Sequence, residues 1–95
     1  MYWYSIPAKI KAVIDKMFPF CMDCENVTGK GCGLICCCAE DDMSVMDGVR
    51  IPIERTAALL NWHMIGEVLI TGVQNEGDIE KTDGCKQAAA LAEKL

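Results

Sequence analysis

The sequence predicts an α/β fold with parallel strands and flanking helices, in the order helix, strand, helix, strand, helix. Three observations carry this. Leu34 to Cys38 is an unbroken apolar run without period-2 alternation, entered through Gly31 and Gly33, which is the pattern of a strand buried on both faces. Trp62 to Val73 is a second strand-like segment, with Met64, Ile65, Val68, Leu69, Ile70 and Val73 apolar. The stretches before, between and after these two have helical spacing, so the strands belong to a βαβ unit with an expected right-handed crossover.

The chain opens on an aromatic segment, Met1 to Tyr4. Ser5 is positioned as an N-cap, and Pro7 falls in the first turn of a helix, where its missing N–H costs nothing. The helix runs through Ala8 to Met17, with Ile6, Ile10, Val13, Ile14 and Met17 on one face, and Pro19 ends it. A loop from Phe20 to Lys30 closes with the turn signal Thr28-Gly29-Lys30. The strand Gly31 to Cys38 follows. Asp41, Asp42 and Ser44 can cap what comes next. Because Pro52 disfavours the α region at Ile51, a short turn at Ser44 to Val49 and a main helix from Pro52 to Leu60 are expected. Ile53, Ala57 and Leu60 form that helix's apolar stripe, and Asn61 stops it. Gly72 to Asp78 is a polar loop, and Thr82 or Asp83 caps a last helix, Cys85 to Leu95.

Composition narrows the function classes. The chain has 95 residues, so one domain at most. Hydrophobic residues are 52% of it, which excludes disorder. A net charge of -5 leaves no basic patch for nucleic acid. No stretch reaches the roughly 18 apolar residues of a membrane span, and Met1 to Ser5 has no signal-peptide pattern. Seven cysteines, an odd count with three of them adjacent at 36–38, argue against a secreted disulfide framework and for a reducing cytoplasm. The glycosylation pattern Asn26-Val27-Thr28 carries no meaning there.

Several motifs hold chemistry that their context does not support. Cys21-Met22-Asp23-Cys24 is a lone C-x-x-C, whereas zinc or cluster sites need a second pair or nearby histidines. Cys36 to Cys38 fit small core residues. Gly29-Lys30-Gly31-Cys32-Gly33 precedes a strand instead of following one, so it is not a nucleotide loop. His63, the single histidine, stands at a strand start with no nucleophile assigned to it. Glu40, Asp41 and Asp42 read as helix-capping, solvated carboxylates, and Asp78 and Glu80 as loop solvation.

The opening Tyr2-Trp3-Tyr4-Ser5-Ile6-Pro7-Ala8-Lys9-Ile10-Lys11-Ala12-Val13-Ile14-Asp15-Lys16 resembles the loop and helix after the third strand of flavodoxin-like NAD(P)H-dependent FMN reductases. That group includes the iron–sulfur flavoproteins. Gly48 to Leu60, Asn61-Trp62, the strand after them and Gly77-Asp78-Ile79 are similar to the family's second half. The resemblance implies a flavodoxin-like three-layer fragment: residues 1–95 would be the C-terminal half, strands four and five of a sheet ordered 2-1-3-4-5. The first three strands, the phosphate-cradling loop and the cluster-binding cysteines would lie outside it. The sheet would be completed by a partner chain.

The family passes a hydride from NAD(P)H to FMN and on to an acceptor. By resemblance, FMN is the cofactor, with Tyr2, Trp3, Tyr4, Ser5, Ala39, Glu40 and Asp41 lining its ring. No metal is expected. The family often has glycines where Ala39 and Glu40 stand, and Glu40 and Asp41 would repel a phosphate, so contact is expected at the ring. The flavin carries the redox chemistry, so no catalytic side chain is assigned. A second reading is a non-catalytic α/β fragment that assembles through the open edge of Gly31 to Cys38, as a homodimer or with a complementary N-terminal half. A third is a small cysteine-rich metal protein.

Overall fold

The computed structural model describes residues 1–22 and 27–95. Its elements in order are α1 (Ala8–Asp15), β1 (Gly31–Cys37), α2 (Asp47–Leu59), β2 (His63–Ile70) and α3 (Gly84–Ala92). Short 3₁₀ turns stand at Phe18–Cys21, Met43–Met46 and Asp78–Lys81. β1 and β2 are parallel neighbours, paired from Gly31↔His63 to Cys37↔Ile70. Among the described residues the chain is thus mixed α/β, with three α-helices and a two-stranded parallel sheet joined through α2. None of these helices is long and apolar enough to cross a membrane.

The strand forms where the apolar run predicts it, but the expectation of burial on both faces is corrected. Leu34, Cys36 and Cys38 are buried, while Ile35 is 60% exposed and Cys37 is exposed. Burial therefore alternates along a run whose hydrophobicity does not. The cause lies in what each face meets. Leu34, Cys36 and Cys38 pack with Met46 and Val49 into one cluster, joined by Met1, Ile6, Val45, Ile53, Met64 and Leu69. Val68, Ile70 and Leu91 form a second cluster. The register sets Cys36 beside Leu69 and Ile35 beside Val68, so the two clusters fall on opposite faces of the sheet. α3 covers β2 on the second face and does not reach over Ile35.

Gly33 and Gly66, paired across the sheet, let α3 approach. A Cβ at Gly66 would stand 2.8 Å from Leu91 Cδ1, and one at Gly33 would stand 3.3 Å from Leu91 Cδ2. The absent side chains make the seat for Leu91.

α2 starts earlier than expected and continues through Pro52. Asp42 Oδ1 accepts from Ser44 N–H at 2.9 Å, capping the 3₁₀ turn that leads into it. An internal proline costs about 3 kcal/mol. The stripe of Val49, Ile53, Ala57 and Leu60 lies at 4-, 4- and 3-residue spacing, and Ala57 and Leu60 are each only 2% exposed. Burying it outweighs that penalty. Asn61 ends the helix in the left-handed conformation, φ 55°. Trp62 N–H donates to Ala57 O at 2.8 Å and Asn61 N–H to Ala58 O at 3.1 Å, the two bonds of a Schellman stop.

Two cap and boundary expectations for α1 also change, and for α3 the structure decides between the two expected capping residues. α1 begins after Pro7 and has no side-chain cap, so Ser5 is not its N-cap. It ends at Asp15, and Pro19 sits inside the following 3₁₀ turn instead of stopping the helix. In the last helix Thr82 Oγ1, not Asp83, accepts from Gly84 N–H at 3.1 Å. No residue of α1 is buried; Ile10 is 55% and Val13 63% exposed.

Candidate functional site

The carboxyl end of a parallel strand is where α/β sheets bind ligands, because the loops there converge and side chains do not block the crevice. At the carboxyl end of β1 the turn of residues 38–40 is held by backbone bonds to the end of β2. Cys38 N–H donates to Ile70 O, Val73 N–H to Cys38 O and Gly72 N–H to Glu40 O, each at 2.9 Å. Gln74 Nε2 adds a bond to Ala39 O at 3.2 Å.

Opposite this turn stands the aromatic opening of the chain. Tyr2 and Ser5 form an antiparallel bridge, Tyr2 N–H to Ser5 O at 3.1 Å and Ser5 N–H to Tyr2 O at 3.0 Å. Trp3 (φ 46°) and Tyr4 (φ 61°) form the tip, both left-handed. A two-residue hairpin with positive φ at both positions is a type I′ geometry, which prefers Asn-Gly. Two aromatics there cost roughly 1–2 kcal/mol each. Such strain persists only where the surroundings enforce it, and it clusters at binding sites.

Part of the enforcement comes from Gly48 in the first turn of α2. The Tyr4 carbonyl oxygen occupies the space a Cβ at position 48 would need, so only glycine admits the turn. The hairpin is pressed on the helix through backbone.

Between turn and hairpin lies a cavity of about 220 Å³ lined by Met1, Trp3, Tyr4, Cys38, Ala39 and Glu40. Four of the seven residues expected to line the site therefore meet here: Trp3, Tyr4, Ala39 and Glu40. Tyr2 and Ser5 shape the hairpin without lining the cavity. Asp41 stands beside Gly72, 3.0 Å from the Cβ position there, also outside the lining. The sequence reading missed Met1 and Cys38. Cys38 was legible as the last residue of an apolar strand, where a side chain borders the crevice.

The electrostatics limit the chemistry. A hydrogen bond to Glu40, and the charge of that carboxylate, push the Tyr4 phenol up. Tyr4 therefore stays neutral and donates. Burial pushes the Cys38 thiol up, and its Sγ donates to Glu40 O at 3.3 Å, which also favours the protonated form. A protonated thiol is a poor nucleophile and a poor metal ligand. Trp3 is 93% exposed and offers an open ring face. The side chains of the lining offer stacking surface and one carboxylate acceptor, and none of them is cationic.

The other candidates separate from this site. A larger groove, about 340 Å³, lies between the end of α1 and α2, lined by Ile14, Met17, Phe18, Leu59 and Leu60 among others. It is bigger and also carries Asp15, Cys21 and Thr56, but it does not lie at the carboxyl ends of the strands, where α/β sheets bind ligands. Among the described residues no cluster of three or more His, Cys, Asp or Glu can hold a metal. Cys24 of the C-x-x-C, and Asn26 of the glycosylation pattern, lie outside the described residues. His63 is exposed at the first position of β2. Asp78 does more than solvate its loop: it accepts from Asn75 N–H at 2.9 Å and Gln74 N–H at 3.2 Å. Those bonds hold its carboxyl below the usual range.

No family model, curated protein or solved structure matches the chain.

Proposed function

We propose that the chain is the C-terminal half of a flavodoxin-like, FMN-dependent NAD(P)H oxidoreductase, three-layered when complete, and that the cavity at the end of β1 takes the isoalloxazine ring. The observation that carries this reading is the strained Trp3-Tyr4 hairpin facing the 38–40 turn across one cavity. Two segments 35 residues apart, both expected from the resemblance to border a flavin, converge there.

The fit is to a ring and not to a whole nucleotide. Sites that enclose such ligands run to about 300–1,000 Å³, above the 220 Å³ here. Glu40 would repel a phosphate. On this reading the phosphate is held by residues outside residues 1–95. Trp3 supplies the stacking face, Tyr4 and Glu40 a fixed donor–acceptor pair, and Cys38 and Ala39 apolar floor. Bound flavin would supply the hydride chemistry, and these side chains would orient it and exclude water.

The test is a fluorescence titration of riboflavin and FMN with the purified chain. Because the ring alone is held, both flavins should be quenched saturably and with equal affinity. Trp3→Ala should weaken both by roughly two- to tenfold, given about 0.5–1.5 kcal/mol for an aromatic pair. Absence of quenching with either flavin overturns the reading.

A further inference from the structure

The loop between β2 and α3 takes every carbonyl of the 38–40 turn. Gly72 N–H donates to Glu40 O and Val73 N–H to Cys38 O, each at 2.9 Å, and Gln74 Nε2 donates to Ala39 O at 3.2 Å. A peptide plane of the turn cannot rotate without breaking one of these bonds. The first two donors are backbone groups. The third is an exposed side chain, and an exposed glutamine loses rotamer freedom in holding a fixed acceptor. Its reach depends on where its own backbone is held.

Asp78 holds that backbone. Its Oδ2 accepts from Gln74 N–H at 3.2 Å and from Asn75 N–H at 2.9 Å. Gly77, with φ 84°, makes the reversal that brings the carboxylate back to them. The other oxygen faces Lys81 Nζ at 3.3 Å, and the Asp78 side chain is only 17% exposed. Bonds of this kind, to an ionised acceptor, are the stronger ones. A chain of contacts thus runs from Asp78 through Gln74 to Ala39, between the two residues that border the cavity as thiol and carboxylate, Cys38 and Glu40.

We infer that Asp78 is a positioning residue of the site at the end of β1, acting through Gln74 on the turn that carries Cys38 and Glu40. Neither Asp78 nor Gln74 lines the cavity. Their part is to fix the turn, because a binding site is only as exact as the hydrogen bonds that lock its lining. The inference rests on the flavin reading for its ligand, while the contacts themselves do not.

Riboflavin quenching titrations and amide hydrogen exchange on the same variants test it. Gln74→Ala and Asp78→Ala should each weaken riboflavin by about two- to tenfold, the range for one hydrogen bond. The double variant should be no weaker than Asp78→Ala, because both residues act along one path. Asp78→Asn keeps an oxygen for the two N–H groups and should restore most of the affinity. A residue that only stabilised the fold would lower the thermal midpoint and leave the affinity of the folded chain unchanged. Both alanine variants should also speed exchange at Gly72 and Val73 and leave the α2 amides slow. Gln74 is exposed, so Gln74→Ala keeps the test open if Asp78→Ala fails to fold. If riboflavin does not bind the unaltered chain, the flavin reading falls and the exchange pattern decides this inference. If riboflavin binds and both alanine variants bind it equally well, or their losses add in the double variant, the inference is overturned and the flavin reading stands. Unchanged exchange at Gly72 and Val73 overturns it as well.

Discussion

The carbonyl oxygen of Tyr4 lies where a Cβ at Gly48 would sit, so the aromatic hairpin and the first turn of α2 touch backbone to backbone. Helix propensity alone would favour alanine at position 48 by about 1 kcal/mol. The contact reverses that preference. Gly48→Ala should push the hairpin off α2, lower the thermal midpoint and abolish flavin quenching, while far-ultraviolet dichroism keeps its helical signal. Unchanged quenching would show that the hairpin does not need this seat.

Glu67 makes stability depend on pH. Its Oε1 is buried without a hydrogen-bond partner among the described residues. Burial first, then the hydrogen bond and charge of Glu54, push its carboxyl up, while Arg50 pulls the other way. Arg50 is itself shared, with Asp47 at 3.1 Å and Glu54 at 2.7 Å. A raised folded value means that the folded chain binds the proton more tightly than the unfolded one. The stabilising contribution is full below the ordinary glutamate range and is lost as pH rises through the raised folded value. Urea midpoints should fall from mildly acid to neutral pH, and Glu67→Gln should flatten that part of the profile.

Asp78 contributes with the opposite sign. The N–H groups of Asn75 and Gln74, then Lys81, hold its carboxyl low. Its contribution is present above the ordinary aspartate range and is lost as pH falls through the depressed value. Asp78→Asn should lower the thermal midpoint at neutral pH and remove this acid-side loss, as read by melting curves from neutral pH downward.

Leu91 is the one residue of α3 that enters the second cluster, 7% exposed over Gly33 and Gly66. Leu91→Ala should cost about 2–5 kcal/mol in denaturant unfolding, the range for a buried leucine that leaves a cavity. Gly66→Ala should also destabilise, because its methyl meets Leu91.

Asn61 adopts the left-handed helix stop, and its Nδ2 donates to Thr28 Oγ1 at 2.9 Å. Asn61→Ala should cost about 1–2 kcal/mol from backbone strain alone. Asn61→Gly relieves the strain and loses the bond, so its denaturation midpoint should lie well above that of the alanine variant.

Local chemistry made much of this architecture legible. The apolar runs placed β1 and β2, because β-branched and other apolar residues bounded by glycines favour a strand, but they did not reveal that one face of β1 stays open. Asn61 marked the end of α2, because few residues tolerate positive φ. Asp42 marked the cap before α2. The aromatic opening and the 39–41 turn could be singled out as site residues only through the resemblance, since nothing in their own spacing links them.

What tertiary structure decided were the outcomes set by partners distant in sequence. The course of α2 through Pro52 depends on the stripe that it buries against the sheet, which outweighs a local penalty. Cys38 borders the cavity because backbone bonds from β2 hold the 38–40 turn facing the hairpin, and Met1 because it packs against the core cluster that contains Cys38. Leu34 and Ile35 are equally apolar neighbours, yet one is buried and the other open, because α2 covers the first face of β1 while α3 reaches the second face at Gly33 and leaves Ile35 largely uncovered. Hydrophobicity is a property of a residue; burial depends on which other surface arrives to cover it.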